Sequence, residues 1–200
     1  MSVESLAQVS YRLRNRERLF SIGYSIYTNR QRVLHKGEKV CTFPQMLQRS
    51  LLYAGVLMAI LVGYLVILMV KGVDILGVAM IFIGVIYLIA LLRGWREQKR
   101  NYEYALQRFL DGGDEEGTLH FDEWGITDVS ASGKESAFSW QEYRYCILVS
   151  DAIMFLFANE RDEILMLNRD AQTEEEICRI LEGFDKQDTI RRLEMKGETK

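Results

Sequence analysis

The chain has 200 residues, 48% hydrophobic and 26% charged, and its net charge of −3 conceals a division: residues 1–110 carry 15 Lys and Arg against 6 Asp and Glu, whereas residues 111–200 carry 10 against 22. The acidic half repels phosphate-rich partners, which argues against nucleic-acid binding. Cys41, Cys146 and Cys178 are too few and too widely spaced for a disulfide framework or a zinc site, and they read as small apolar residues in a reducing compartment.

Residues 1–48 form a basic segment. Over 3–34 there is no proline, and Leu6, Leu13, Phe20, Tyr27 and Leu34 recur at heptad spacing, with Val9, Leu19, Ile22, Ile26 and Val33 widening the stripe. This pattern predicts an amphipathic helix with a break near Gly23. Arg12, Arg14, Arg16 and Arg18 lie within it and are candidate membrane-surface residues, each cation adding on the order of 1 kcal/mol at an anionic leaflet. The same charges equally suit a solvated face, and the heptad equally suits docking on a partner helix or on the acidic half of the chain.

Residues 49–111 carry two uncharged apolar runs, at about 51–70 and 75–92. Each run can cross a hydrocarbon core of roughly 30 Å as a helix. A buried hairpin in a water-soluble core would show a polar face over five turns. No secretory leader precedes the first run, which is therefore expected to act as an uncleaved anchor. Arg30, Arg32, Lys36, Lys39 and Arg49 precede the hairpin, and Arg93, Arg96, Lys99, Arg100 and Arg108 follow it. The turn holds only Lys71 beside Asp74. By the positive-inside rule this predicts a multi-pass protein of the inner membrane with both termini cytoplasmic. Pro44 fits the start of the first membrane helix. Gly55, Ala59 and Gly63 recur every fourth residue, and Gly77 and Gly84 share a face of the second helix. These small residues are expected to pack the hairpin against itself, with homo-oligomerisation as the alternative. Tyr53 and Trp95 fall near the expected interfaces. Neither run holds an ionisable side chain, which argues against an ion or proton pathway.

The second helix is expected to continue past the membrane, with Tyr102, Leu106, Phe109 and Leu110 on one side, until Gly112 and Gly113 stop it. The period then changes to two. Strands are predicted at about 117–122, 125–130, 136–149, 152–158 and 163–168, with turns at 123–125, 132–134, 150–151 and 159–162. A helix follows, with Thr173 as N-cap, Glu176 completing a capping box, and Ile177, Ile180, Leu181 and Phe184 on one face. Residues 185–200 read as a charged tail. The fold class is thus an α+β membrane protein: a two-helix transmembrane hairpin, then a small antiparallel β-domain (112–184) capped by a C-terminal helix.

Over roughly residues 50–184 the chain resembles the YcxB-like family of small bacterial membrane proteins. The likeness rests on the hairpin, on Phe121-Asp122-Glu123-Trp124-Gly125-Ile126, on Phe138-Ser139-Trp140 with Tyr143 shortly after, and on the two strands and helix that follow. It implies a pleckstrin-homology-like (PH-like) β-domain and brings no enzymatic activity with it.

Chemical signatures are correspondingly sparse. His35 and His120 stand in separate segments, and Gly112, Gly113 and Gly117 lack the lysine and hydroxyl of a phosphate loop. Asp111, Asp114, Glu115 and Glu116 lack calcium-loop spacing. No catalytic, metal or cofactor site is expected. Trp124, Trp140 and Tyr143 are the candidate interaction residues: Trp140 and Tyr143 suit a core better than a surface, and Trp124 stands in a tight turn where large aromatics are uncommon. The expectation is a non-enzymatic, membrane-tethered module that contacts lipids through its hairpin and binds a protein partner at the inner face. The alternatives are lipid-headgroup or small-ligand sensing by the β-domain, or an accessory subunit of a larger transporter or channel.

Overall fold

A computed structural model of the protein describes residues 6–36, 39–72, 75–112, 115–158 and 163–196. The expected hairpin turn at Asp74, the stop at Gly113, Asp114 and the 159–162 connection lie outside the described residues. The fold is α+β: two long apolar helices, then largely antiparallel sheets and a C-terminal helix. It divides into two compact units, residues 43–107 and the remainder on either side of them.

The first unit in chain order begins with a strand where a helix was expected. β1 runs over Ala7–Arg12, and α1 follows at Arg16–Lys36. Within 7–12 the burial alternates, with Val9 buried between exposed Gln8 and Ser10, so the local period is two. The expected break at Gly23 is also absent: α1 departs from helical geometry at Asn29 instead. Gly23 serves a close approach, since a Cβ there would collide with Sδ of Met166.

β2 (Glu116–Phe121), β3 (Gly125–Ser130) and β4 (Glu135–Ser139) continue from β1 into one antiparallel sheet in the order β1-β2-β3-β4. β5 (Tyr143–Leu148), β6 (Ala152–Phe157) and β7 (Ile164–Asn168) form a second sheet. The expected strand over 136–149 is therefore two strands. The chain turns at Ser139, where its carbonyl accepts from the Glu142 N–H (3.1 Å) and its hydroxyl from the Gln141 N–H (3.1 Å). No glycine or proline marks that corner, which is why the sequence reads through it.

α4 spans Ala171–Gly183, and its N-cap is Asp170 rather than Thr173. The Asp170 carboxylate accepts from the Thr173 N–H (2.8 Å) and hydroxyl (3.0 Å), so the threonine occupies the position that receives the cap. Nor is the end of the chain only a tail. A 3-10 turn at Gln187–Thr189 leads into β8 (Ile190–Arg192), which pairs parallel to β5, giving the second sheet the order β7-β6-β5-β8. Beyond it the Val40 N–H donates to Glu194 O (2.9 Å) and the Lys196 N–H to Val40 O (2.7 Å), fixing the chain just ahead of the hairpin.

Every residue of β6, Ala-Ile-Met-Phe-Leu-Phe, is buried, because both faces of its sheet are covered. Ile153, Phe155 and Phe157 join Val9, Leu119, Phe121, Ile177 and Leu181 in the core beneath the first sheet and α4. Ala152, Met154 and Leu156 pack with Leu19, Ile22 and Ile26 of α1. The N-terminal helix is thus a structural layer held by apolar packing, not an electrostatic latch.

The second unit is the hairpin, α2 (Phe43–Lys71) and α3 (Ile75–Gly112), both long and apolar enough to cross a membrane. Phe43 stacks on Tyr102 at 4.6 Å, and Leu61 packs against Gly84. These two contacts set an antiparallel register that brings Leu68 level with Gly77, and both are buried. Large apolar side chains elsewhere on the pair, from Leu51 to Ile89, remain exposed.

The layered core gives a direct test. Ile22→Ala is expected to destabilise the protein by about 2–5 kcal/mol, as deletion of a fully buried aliphatic side chain does. Urea unfolding of the detergent-solubilised chain measures this, and a change below about 0.5 kcal/mol would mean α1 is a surface helix.

Candidate functional site

The β2–β3 turn is built around one aspartate. Asp122 Oδ1 accepts from the backbone N–H of Trp124 (2.7 Å) and of Gly125 (2.9 Å), an arrangement that holds a tight reversal without backbone strain. The Asp122 N–H donates to Gly125 O (3.1 Å), and the Trp140 N–H to Trp124 O (3.0 Å). Gly125 permits this closeness, because a Cβ there would overlap the Phe138 carbonyl. The backbone of Trp124 is thereby fixed, while its side chain is 76% exposed.

Trp140 and Tyr143 occupy a different environment. The Trp140 indole N–H donates to Asp122 O (2.8 Å), and its ring lies 6.5 Å from Phe121, 5.4 Å edge-on to Tyr143 and 5.1 Å from Phe184. Lys186 sits over the same ring. Tyr143 is buried, its hydroxyl shares a hydrogen bond with Thr189 (2.7 Å), and burial pushes its phenol pKa upward. These two aromatics belong to the core. Trp140 serves the surface indirectly, by anchoring the turn that presents Trp124.

The four N-terminal arginines do not form a row on one helix. Arg12, on β1, pairs with Glu116 directly across the strands (3.2 Å). The Arg14 backbone is bonded on both sides by the Asn168 side chain, which accepts from its N–H and donates to its carbonyl. Arg16 donates to the Phe109 carbonyl (2.6 Å) and lies over the Phe109 ring, supplying an acceptor-rich helix end with a cation. Its Nε is buried without a hydrogen-bond partner. Arg18 pairs with Asp151. Three of the four guanidinium groups are therefore matched to the domain's own carboxylates, Arg16 with Glu115 at 3.9 Å.

The small residues of the hairpin separate into two groups. Gly77 is buried, and Gly84 meets Leu61. Gly55 and Gly63 have open space where a Cβ would stand, and Ala59 between them is exposed, so that stripe does not form the seam. The seam on α2 is made instead by Ala54, Leu61 and Leu68, a heptad-spaced set that contains only one small residue and so lacks the small-residue signature of a close helix pair.

Among the described residues no cluster of His, Cys, Asp and Glu is arranged to hold a metal ion. Cys146 is buried on β5, and burial raises its thiol pKa, which makes it a poor nucleophile. Asp128 is likewise raised by burial, opposed by the hydrogen bond it accepts from the Tyr11 hydroxyl (2.7 Å). Comparison with protein-family models, with curated proteins and with solved structures gave no match.

One ionic cluster locks the domain. Arg169 donates to Glu174 (2.7 Å) and to Val149 O (2.7 Å), and Arg192 on β8 reaches the other Glu174 oxygen (3.1 Å). The hydrogen bond from Arg169, the largest influence, holds the Glu174 carboxyl below its usual range. A depressed folded-state pKa stabilises the fold above the ordinary carboxylate range, and that stability is lost as pH falls through the lowered value. Glu174→Gln is therefore expected to cost about 1–2 kcal/mol at neutral pH and almost nothing in strong acid. Urea titrations of both proteins at the two pH values check this; an equal difference at both would show that charge is not what Glu174 contributes.

Proposed function

We propose that this protein is a non-enzymatic, membrane-tethered interaction module, in which the hairpin spans the inner membrane with both termini cytoplasmic and a PH-like β-domain docks a protein partner through Trp124. The observation that carries the docking role is the 76% exposure of an indole on a turn immobilised by Asp122 and Trp140. A turn whose backbone is already fixed need not be ordered on binding, and tryptophan is enriched among the residues that dominate interface energies. Asp122 and Glu123 flank it, so the complementary surface is an apolar pocket rimmed by cations.

Membrane insertion is supported by the large apolar side chains left on the outside of α2 and α3, a surface too extensive for a water-soluble monomer. The PH-like reading, and with it the likeness to the YcxB-like family, is supported by the strand order. Four antiparallel strands, three more in a second sheet and a helix follow in sequence, with the hairpin inserted between the first two strands. Tethering raises the effective concentration of the domain toward anything at the same membrane face, so modest intrinsic affinity suffices.

A photoreactive amino acid at position 124 in intact cells is expected to capture one protein reproducibly. Trp124→Ala should weaken retention of that protein by about tenfold or more while changing stability by less than about 0.5 kcal/mol. Trp140→Ala, in contrast, should destabilise the domain by about 3–5 kcal/mol. Undiminished retention by Trp124→Ala would sink the docking role.

A further inference from the structure

Among the described residues, the arginines at the basic end of the hairpin lack the carboxylate pairs that Arg12, Arg16 and Arg18 have in the β-domain. Arg93, Arg96 and Arg100 follow the apolar run of α3 at spacings of three and four residues, which places them on one helix face within about 10 Å along the axis. All three are exposed. Counting equally inward from the stacked Phe43 and Tyr102 brings Arg49, also exposed, level with Arg96 on the facing helix. Among the described residues none of these four guanidinium groups has an ion-pair partner, although Glu97 and Glu103 are nearby in sequence, and Glu103 pairs with Lys99 instead. Like charges three and four apart on a helix repel by about 0.2–0.5 kcal/mol per pair. Four unpaired cations within about 10 Å along the hairpin axis therefore form an arrangement that an external anion relieves.

We infer that Arg49, Arg93, Arg96 and Arg100 form a collar that binds the phosphate of anionic phospholipids. The position selects the lipid. The collar begins where the apolar runs end, with Tyr53 exposed on α2 and the partly buried Trp95 on α3 beside it, so an occupant must present an anionic phosphate at the headgroup level and acyl chains along the exposed apolar flank. Arginine suits this, since its planar fork engages two phosphate oxygens at once. The lipid-facing charge thus belongs to the hairpin, whereas Arg12, Arg16 and Arg18 are neutralised within the β-domain. This inference rests on the proposed membrane insertion, and its test separates the two.

The test uses the full-length protein reconstituted into nanodiscs of equal phosphatidylglycerol and phosphatidylcholine, extracted, and weighed by native mass spectrometry. The wild-type chain is expected to retain phosphatidylglycerol preferentially. The variant Arg49→Gln/Arg93→Gln/Arg96→Gln/Arg100→Gln should lose that preference by about tenfold or more, while Arg12→Gln/Arg14→Gln keeps it. Should the quadruple variant fail to incorporate, 0.5 M salt during extraction of the wild-type protein is expected to lower the ratio on its own. A wild-type protein that inserts yet shows no preference, or a preference indifferent to both salt and substitution, overturns the collar and leaves the membrane tether standing. A wild-type protein that remains outside the nanodiscs overturns both.

Discussion

The pairing of β1 with β2 is the constraint on which the rest of the structure depends. Ala7 meets Phe121 and Arg12 meets Glu116, so all residues of a strand at the very start of the chain are matched to one that begins only after the hairpin is complete. Without β1, β2 would present a row of unpaired N–H and C=O groups, and the edge would be open to pairing with another chain. Val9 would also be missing from the core shared with Leu119, Phe121 and Phe155. The entropic penalty for inserting a long segment between two paired strands grows only with the logarithm of its length. Here the insertion is itself helical, which lowers the penalty further. A hairpin can therefore sit inside a β-domain without dismantling it, but the domain cannot be assembled until the hairpin has been synthesised.

A second consequence concerns the layer added by α1. The sheet of β5, β6 and β7 is apolar on both faces, and a sheet of that kind needs cover on both sides. α4 and the first sheet cover one face, α1 the other. Gly23 against Met166 shows how closely the helix lies on the strands. The backbone bonds between Val40 and the 194–196 segment then fix the chain end of this layer at the point where α2 begins. The residues on either side of the hairpin both belong to the β-domain, α1 by its packing and Phe109, at the end of α3, by its bond from Arg16.

Where local pattern and tertiary context agree, the elements were legible from residues alone. The two apolar runs, the extension of α3 to Gly112, and β2, β3, β6 and β7 fall close to their expected places. The failures have identifiable physical causes. Heptad spacing over 3–34 favours a single helix because Leu6, Leu13 and Phe20 satisfy it, although among the described residues of that stretch only those from Arg16 onward are helical. The competing signal was distant: β6 carries six successive apolar residues, which already implies a covering layer that the C-terminal half alone does not supply. The turn at 140–142 is made by a serine hydroxyl and carbonyl rather than by glycine or proline, and the Thr173–Glu176 spacing imitates a capping box although Asp170 is the cap. For the site, the type of Trp124 was readable but its exposure was not. Exposure depends on Trp140 being drawn inward by the Asp122 carbonyl and three aromatic neighbours, contacts that bring together residues from β2, the β4–β5 corner and the end of α4.

The charge division of the chain takes on a different meaning once these contacts are known. Counted along the sequence, a basic first half faces an acidic second half and invites an account in which one is attracted to the other. In the fold, much of that attraction is already spent: Arg12, Arg16 and Arg18 lie against Glu116, Glu115 and Asp151, and Lys39 lies against Glu194 (2.6 Å). Exposed pairs of this kind contribute about 0–1 kcal/mol each, so they trim the packing rather than drive it. Their larger effect is to leave the β-domain with its acidic surplus and the hairpin with unpaired cations.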